Sequence, residues 1–168
     1  QALGGDRPSI PAPGPSGETL RIGLLLSESG PVARENRDIL NALFLLRDRV
    51  NACGGVNQAP VSLVTLDSAS SPNRERIAMD ALIYQYQVHG ILLVPITPDP
   101  QRLVETAVAA GIPVLSPSYR GPMPARQFNP NTLEMYWNRT IPSDQQQAMV
   151  LSQVILNQGF RQVAIALA

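Results

Sequence analysis

One histidine, one cysteine and no lysine leave this sequence little equipment for covalent chemistry. Every one of its 13 basic residues is arginine, which excludes a Schiff-base lysine and the lysine of a phosphate-binding P-loop. Cys53 lies in Ala52-Cys53-Gly54-Gly55 and His89 in Val88-His89-Gly90. Both places read as helix ends, where a histidine can face the negative end of the helix dipole. A lone cysteine forms no internal disulfide, and one cysteine with one histidine falls short of a zinc set. No Gly-x-Gly-x-x-Gly follows the first apolar run, and no Gly-x-Ser-x-Gly elbow occurs. The inventory points away from catalysis, and no group of residues calls for a cofactor or a metal.

What remains is the chemistry of recognition, and it sits in loops. Arg120 ends the segment Ser116-Pro117-Ser118-Tyr119-Arg120. Its planar fork can take a carboxylate or phosphate bidentately, or it can make a surface ion pair at a cleft mouth. Tyr119 can stack on a ligand or pack at a sheet edge. The hydroxyls of Ser118 and Thr97 can donate to a ligand or cap a turn. Glu35 reads as solvated. Asp67 stands at the end of an apolar run, a place that suits a catalytic acid in an enzyme and a turn-forming aspartate elsewhere.

These residues need elements to position them. With 44% hydrophobic and 15% charged residues, the composition is that of a globular domain. The net charge is zero, so nothing favours nucleic acid or an anionic membrane surface. Short apolar runs bounded by turn residues predict strands at 21–26, 61–66, 90–94 and 112–116. Between them lie helical patterns. The first covers 36–51, with Ile39, Leu40, Leu43, Leu46 and Val50 on its apolar side. The second runs from Ser71-Pro72 to about Val88, with Ile77, Leu82 and Ile83 inward. The third runs from Pro98 to Ala110 and stops at Gly111. Strands that alternate with helices and are apolar throughout predict a doubly wound, mostly parallel α/β sheet covered on both faces. Ligands of such sheets bind beyond the carboxyl ends of the strands. That directs attention to the loops at 27–35, 67–72, 95–100 and 116–122.

Four segments follow from the punctuation. Residues 1–19, rich in Pro, Gly and Ser, read as a flexible tether or as an untidy chain end. Residues 20–120 form the α/β lobe, and 121–141 a crossover region in which Tyr136-Trp137 is expected to bury and Tyr136–Thr140 to extend. Residues 142–168 begin a second α/β unit. There Ser143-Asp144 caps a helix over 145–158, Gly159 stops it, and Gln162–Leu167 is a strand. That second unit is expected to continue past residue 168. The Asn138-Arg139-Thr140 glycosylation pattern falls on the predicted crossover and is taken as coincidence. No apolar run is long enough to span a bilayer. No signal peptide is visible, and a start at Gln1 leaves room for a leader already removed.

In this order the segments resemble the type I periplasmic binding proteins, above all the branched-chain amino acid receptors of ABC importers. The resemblance is carried by RIGLLLSESGPVA at 21–33, NACGGVN at 51–57 and LDSASSP at 66–72. It continues through AGIPVLSPS at 110–118, RTIPSDQQQA at 139–148 and GFRQVAIALA at 159–168. The resemblance implies two α/β lobes that close by hinge motion on a small-molecule ligand. It implies an extracytoplasmic protein whose closed form an ABC permease recognises, and no covalent chemistry. It places ligand contacts at Ser29, Glu35, Thr97, Ser118, Tyr119 and Arg120. Three segments depart from the family pattern. Val94 replaces a glycine and Pro98 a serine; Tyr119 and Arg120 replace small residues; Glu35 falls where an aromatic is common. The ligand is thereby left open between an amino acid and another small anion. A non-transport role, as a sensor ectodomain or a regulatory lipoprotein held by the tether, is the alternative.

Overall fold

The computed structural model describes residues 18–96, 100–121 and 136–164; the proposed tether falls almost wholly outside them. Strands β1 (Leu20–Leu26), β2 (Val61–Asp67), β3 (Gly90–Leu93), β4 (Val114–Ser116) and β5 (Trp137–Arg139) form one sheet in the order β2-β1-β3-β4-β5. All four pairings are parallel. Helices α1 (Ala33–Ala52), α2 (Pro72–Asp80) and α3 (Gln101–Ala109) fall between strands, and α4 (Asp144–Asn157) follows β5. This is the parallel, helix-covered α/β sheet expected from the alternating pattern.

Strand alternation divides the core in two. Leu24 and Leu26, both fully buried, pack with Val94 under Ile39, Leu40 and Leu43 of α1. Leu25, Ile91, Leu93 and Val114 pack with Met79, Leu82, Leu103, Val104 and Ala107 on the other face. Complete burial of each leucine contributes about 1.5–3 kcal/mol. Three consecutive leucines in one strand can all be buried only when helices cover both faces, as they do here.

Several elements differ from the sequence reading, each for a local reason. In α1, Leu46 is exposed rather than inward: the side facing the sheet is formed by the buried Asn36 and the half-buried Ile39, Leu40 and Leu43. In α2 the inward stripe is Glu75, Ala78, Met79, Leu82 and Ile83, the three-and-four spacing of a helix face. Ile77 falls off that stripe and is 60% exposed. The second helix stops short of Val88. It widens into a π turn over Ala81–Gln85, closed by the Tyr86 amide on the Ala81 carbonyl. Strand β4 begins at Val114, after Pro113, which has no N–H to give a ladder. The Pro113 carbonyl still accepts from the Ile91 amide. Tyr136 and Trp137 are buried as expected, and β5 confirms the extended segment. Ser143 caps α4 with a reciprocal capping box: its hydroxyl accepts from the Gln146 amide and Gln146 Oε1 accepts from the Ser143 amide. Helix α4 buries none of its residues. Residues 162–164 are irregular and exposed, so the strand expected over Gln162–Leu167 is not present there.

Gly55 fixes the turn between α1 and β2. Its φ is +76°, and a Cβ there would run into the Ala59 carbonyl. Gly55→Ala is therefore expected to destabilise the lobe by at least about 2 kcal/mol, since the left-handed backbone and the clash add. Urea unfolding of the two proteins measures it; an unchanged midpoint would show that this turn can rearrange without cost.

Candidate functional site

Five loops leave the carboxyl edge of the sheet, and hydrogen bonds stitch neighbouring ones together. After β1, the Ser27 hydroxyl sits 2.7 Å from that of Ser68, both fully buried. Asn36 reaches back from α1 to donate to the Ser27 carbonyl at 3.0 Å. Asp67 joins the loops after β1 and β2. Its Oδ1 accepts from the amides of Glu28 at 2.8 Å, Ser29 at 3.2 Å and Ala69 at 2.7 Å. Its Oδ2 accepts from the Ser29 hydroxyl at 2.6 Å. Partial burial pulls this carboxyl upward, but the Ser29 hydroxyl and the three amides outweigh it and hold the group below its ordinary value.

The loop after β3 is held from below. Glu75, 1% exposed in the first turn of α2, accepts at Oε1 from the Ile96 amide at 3.0 Å. The positive end of the helix dipole favours a carboxylate at that position. Around β4, the Tyr119 amide donates to the Ser116 hydroxyl, and the Tyr119 ring stands edge-on to Trp137 with centroids 5.9 Å apart. The Arg120 carbonyl accepts from the Asp144 amide at 2.9 Å, and Arg139 Nη1 donates to the Gly121 carbonyl at 2.9 Å.

The residues singled out in the sequence thus fall in different settings. Ser118 and Arg120 are exposed on the loop after β4, and among the described residues no side chain pairs with Arg120. Tyr119 is only 8% exposed, with its ring packed edge-on to Trp137. The Ser29 hydroxyl donates its hydrogen bond to Asp67 Oδ2, which leaves it acceptor capacity for a ligand. Glu35 is exposed in the first turn of α1. Thr97 lies outside the described residues. His89 and Cys53 are at the opposite, amino edge of the sheet. His89 Nδ1 accepts from the Arg21 amide at 3.0 Å, so it fastens β1 rather than facing a helix dipole. Cys53 is exposed at the end of α1. Among the described residues no group of acidic, cysteine or histidine side chains could hold a metal ion. None of their helices is long and apolar enough to cross a membrane. Sequence reasoning missed Glu75, Ser27, Ser68 and Asn36. Glu75 and Asn36 left a signal, since Glu75 falls in step with Ala78, Met79, Leu82 and Ile83, and Asn36 with Ile39, Leu40 and Leu43.

A model of the periplasmic binding protein family matches residues 19–168. The chain belongs to that family. Solved binding proteins share its fold. An ABC transporter substrate-binding protein from Desulfitobacterium hafniense, in complex with Leu, is 23% identical with a TM-score of 0.68, over 84% of this chain and 40% of that one. The branched-chain amino acid binding protein LivJ from Streptococcus pneumoniae, in complex with isoleucine, is 24% identical with a TM-score of 0.62, over 76% and 35%. A solute-binding protein from R. palustris, in complex with benzoate, is 22% identical with a TM-score of 0.66, over 84% and 38%. This binding-protein chain therefore spans about two-fifths of the length of those structures. No curated protein matches its sequence significantly.

The depressed Asp67 carboxyl carries a pH signature. Its folded-state pKa lies below the unfolded one, so it stabilises the fold above the ordinary carboxylate pKa of about 3.9 and loses that contribution as the pH falls through the depressed value. Thermal melts of wild type and Asp67→Asn should differ most near neutral pH and converge in acid. A difference that grows on acidification would contradict the hydrogen-bonded carboxylate.

Proposed function

We propose that this chain supplies the first lobe, and the start of the second, of an extracytoplasmic solute-binding protein. The protein captures a small polar ligand between its lobes and delivers it to an ABC importer, without covalent chemistry. Residues 20–120 serve as the first lobe, 121–141 as the crossover and hinge, and 142–168 as the beginning of the second lobe. Residues 1–19 act as a tether, which suits an anchor at the membrane surface. The observation that carries the reading is the carboxyl edge of the sheet, where hydrogen bonds tie the loops and the exposed Arg120 side chain has no ion-pair partner among the described residues. Such a cation on a rigid rim suits an anion. Leu, isoleucine and benzoate, which occupy the related structures, all carry a carboxylate, and a guanidinium matches a carboxylate in geometry and charge.

Within the proposed ligand set, Arg120 takes the carboxylate, and Ser118 and Thr97 supply hydroxyls. Ser29 accepts from a donor group of the ligand, because its own proton is engaged. Tyr119 acts by holding its loop against Trp137, and Glu35 stands at the rim. The internal contacts of Ser29 and Tyr119 leave fewer side chains to grip a ligand, which supports the regulatory-module alternative to that extent.

Calorimetric titration with L-leucine and with benzoate, on the protein as its source produces it, separates the two. The receptor reading expects one of them to bind, and Arg120→Ala to weaken it about tenfold or more, the scale of a lost charge-assisted hydrogen bond. Binding that is unchanged in Arg120→Ala removes Arg120 from the site. No uptake of either compound by wild type favours the regulatory module.

A further inference from the structure

The connection from β2 into α2, residues 67–75, grips the loops on both sides of it. At its start, Asp67 takes two amides and a hydroxyl from Glu28 and Ser29. Ser70 adds its amide to the Ser27 hydroxyl at 3.1 Å and its own hydroxyl to the Ser29 carbonyl at 3.1 Å. At its end, Glu75 takes the Ile96 amide of the loop after β3. Helix α2 carries the chain from β2 to β3, past β1, so a first-turn side chain can reach a loop two strands away.

The segment is also strained. Ala69 and Ser70 have φ of 48° and 53°, the left-handed region that costs a non-glycine residue about 1–2 kcal/mol. Gly30, at φ +87°, passes so close that a Cβ would stand 2.6 Å from Ser70 Oγ. A strained connection persists where its surroundings over-determine it, and that combination recurs where geometry matters to function.

We propose that Asp67 and Glu75 are positioning residues for ligand capture. They hold the 27–30 and 94–96 loops at a fixed spacing before the ligand arrives and do not touch it. The inference rests on the solute-binding reading given above. Its physical basis is the cost of binding: loops ordered in advance lose less conformational freedom when the ligand closes on them. It also decides which groups stay available. The Glu28 and Ser29 amides are engaged by Asp67, so the first loop offers an anion no donors from these two amides. An anionic group must then find its donors elsewhere on the rim, where Arg120 stands.

The test uses the protein as its source produces it, with Asp67→Ala, Asp67→Asn, Glu75→Met and Glu75→Gln. Methionine fills the buried volume of Glu75 without an acceptor, which keeps the lobe foldable. Amide hydrogen exchange is followed by NMR in the ligand-free state, and L-leucine and benzoate serve as probes in titrations. Asp67→Ala is expected to speed exchange at Glu28 and Ser29, and Glu75→Met at Ile96, each about tenfold or more. The amides of β1 and β3 should keep their rates. Asparagine and glutamine retain an acceptor oxygen and should restore most of the protection. A probe that binds wild type should bind Asp67→Ala and Glu75→Met about tenfold more weakly, with the Asn and Gln variants close to wild type. Unchanged exchange at these amides, or a uniform rise across the sheet, overturns the proposal. So does unchanged probe affinity alongside faster loop exchange. If neither probe binds wild type, the solute-binding reading loses support for these compounds, while the exchange rates still decide whether the two carboxylates hold the loops.

Discussion

Strand β1 is hydrogen-bonded along both edges, and the other features of the lobe are placed relative to it. All seven of its residues pair with β2, from Leu20 on Val61 to Leu26 on Asp67. Four of them also pair with β3, from Ile22 on Gly90 to Leu25 on Leu93. A parallel ladder between two neighbours sets where each strand ends. Asp67 is opposite Leu26, so the loops after β1 and β2 leave the sheet side by side. The Ser27–Ser68 contact and the Asp67 bonds are consequences of that register. A slip of one residue would turn Leu24 and Leu26 onto the wrong face and move Asp67 away from Glu28 and Ser29.

Packing holds the register. Both faces of β1 are closed, one by α1 through Ile39, Leu40 and Leu43, the other by α2 and α3. At the amino edge, His89 adds a side-chain bond to the Arg21 amide, while its own amide donates to the Arg21 carbonyl. The histidine thus continues the ladder by one step with a ring nitrogen in place of a backbone oxygen. Gly23 reflects the same closeness: a Cβ there would come within 3.1–3.2 Å of Leu82 and Val88.

The fold was legible because its signals are periodic. Runs such as Leu24-Leu25-Leu26 and Gly90-Ile91-Leu92-Leu93 have no other good place than a parallel sheet covered twice, and the helical spacings between them leave one topology class. The errors fell where periodicity is ambiguous. Ile77 and Leu46 are apolar and near the right phase, but hydropathy does not weigh a buried Asn36 or Glu75, and these polar residues complete the inward stripes. The site was less legible for the same reason. A serine that bonds a serine 41 residues away, as Ser27 does with Ser68, leaves no local pattern. Asp67 reads from the sequence as either a catalytic acid or a turn former; its Oδ1 accepts from the Ala69 amide two residues on, as in a turn, but its grip on Glu28 and Ser29 depends on strand register. Tyr119 offered two readings from position alone, and its edge-on contact with Trp137, across 18 residues of sequence, left no local pattern.

The loop carrying Arg120 belongs to two neighbourhoods at once. Its start is anchored in the lobe, through Ser116 to the Tyr119 amide and through Tyr119 to Trp137. Its end is anchored to the segment that leads away from the lobe. The Ser116 carbonyl accepts from Thr140, the Gly121 carbonyl from Arg139, and the Arg120 carbonyl from the Asp144 amide at the first residue of α4. Helix α4 is itself firmly started by the Ser143–Gln146 box, yet it buries nothing against the sheet. Its connection to the lobe therefore runs through these few backbone bonds rather than through a packed interface. If α4 turns relative to the sheet, the hydrogen bond at the Arg120 carbonyl is among the first to feel it. Under the solute-binding reading, this arrangement links the Arg120 backbone to the segment that leads away from the lobe without a long-range pathway. On that reading, the side chain proposed for the ligand and the carbonyl bonded to the first residue of α4 belong to the same residue.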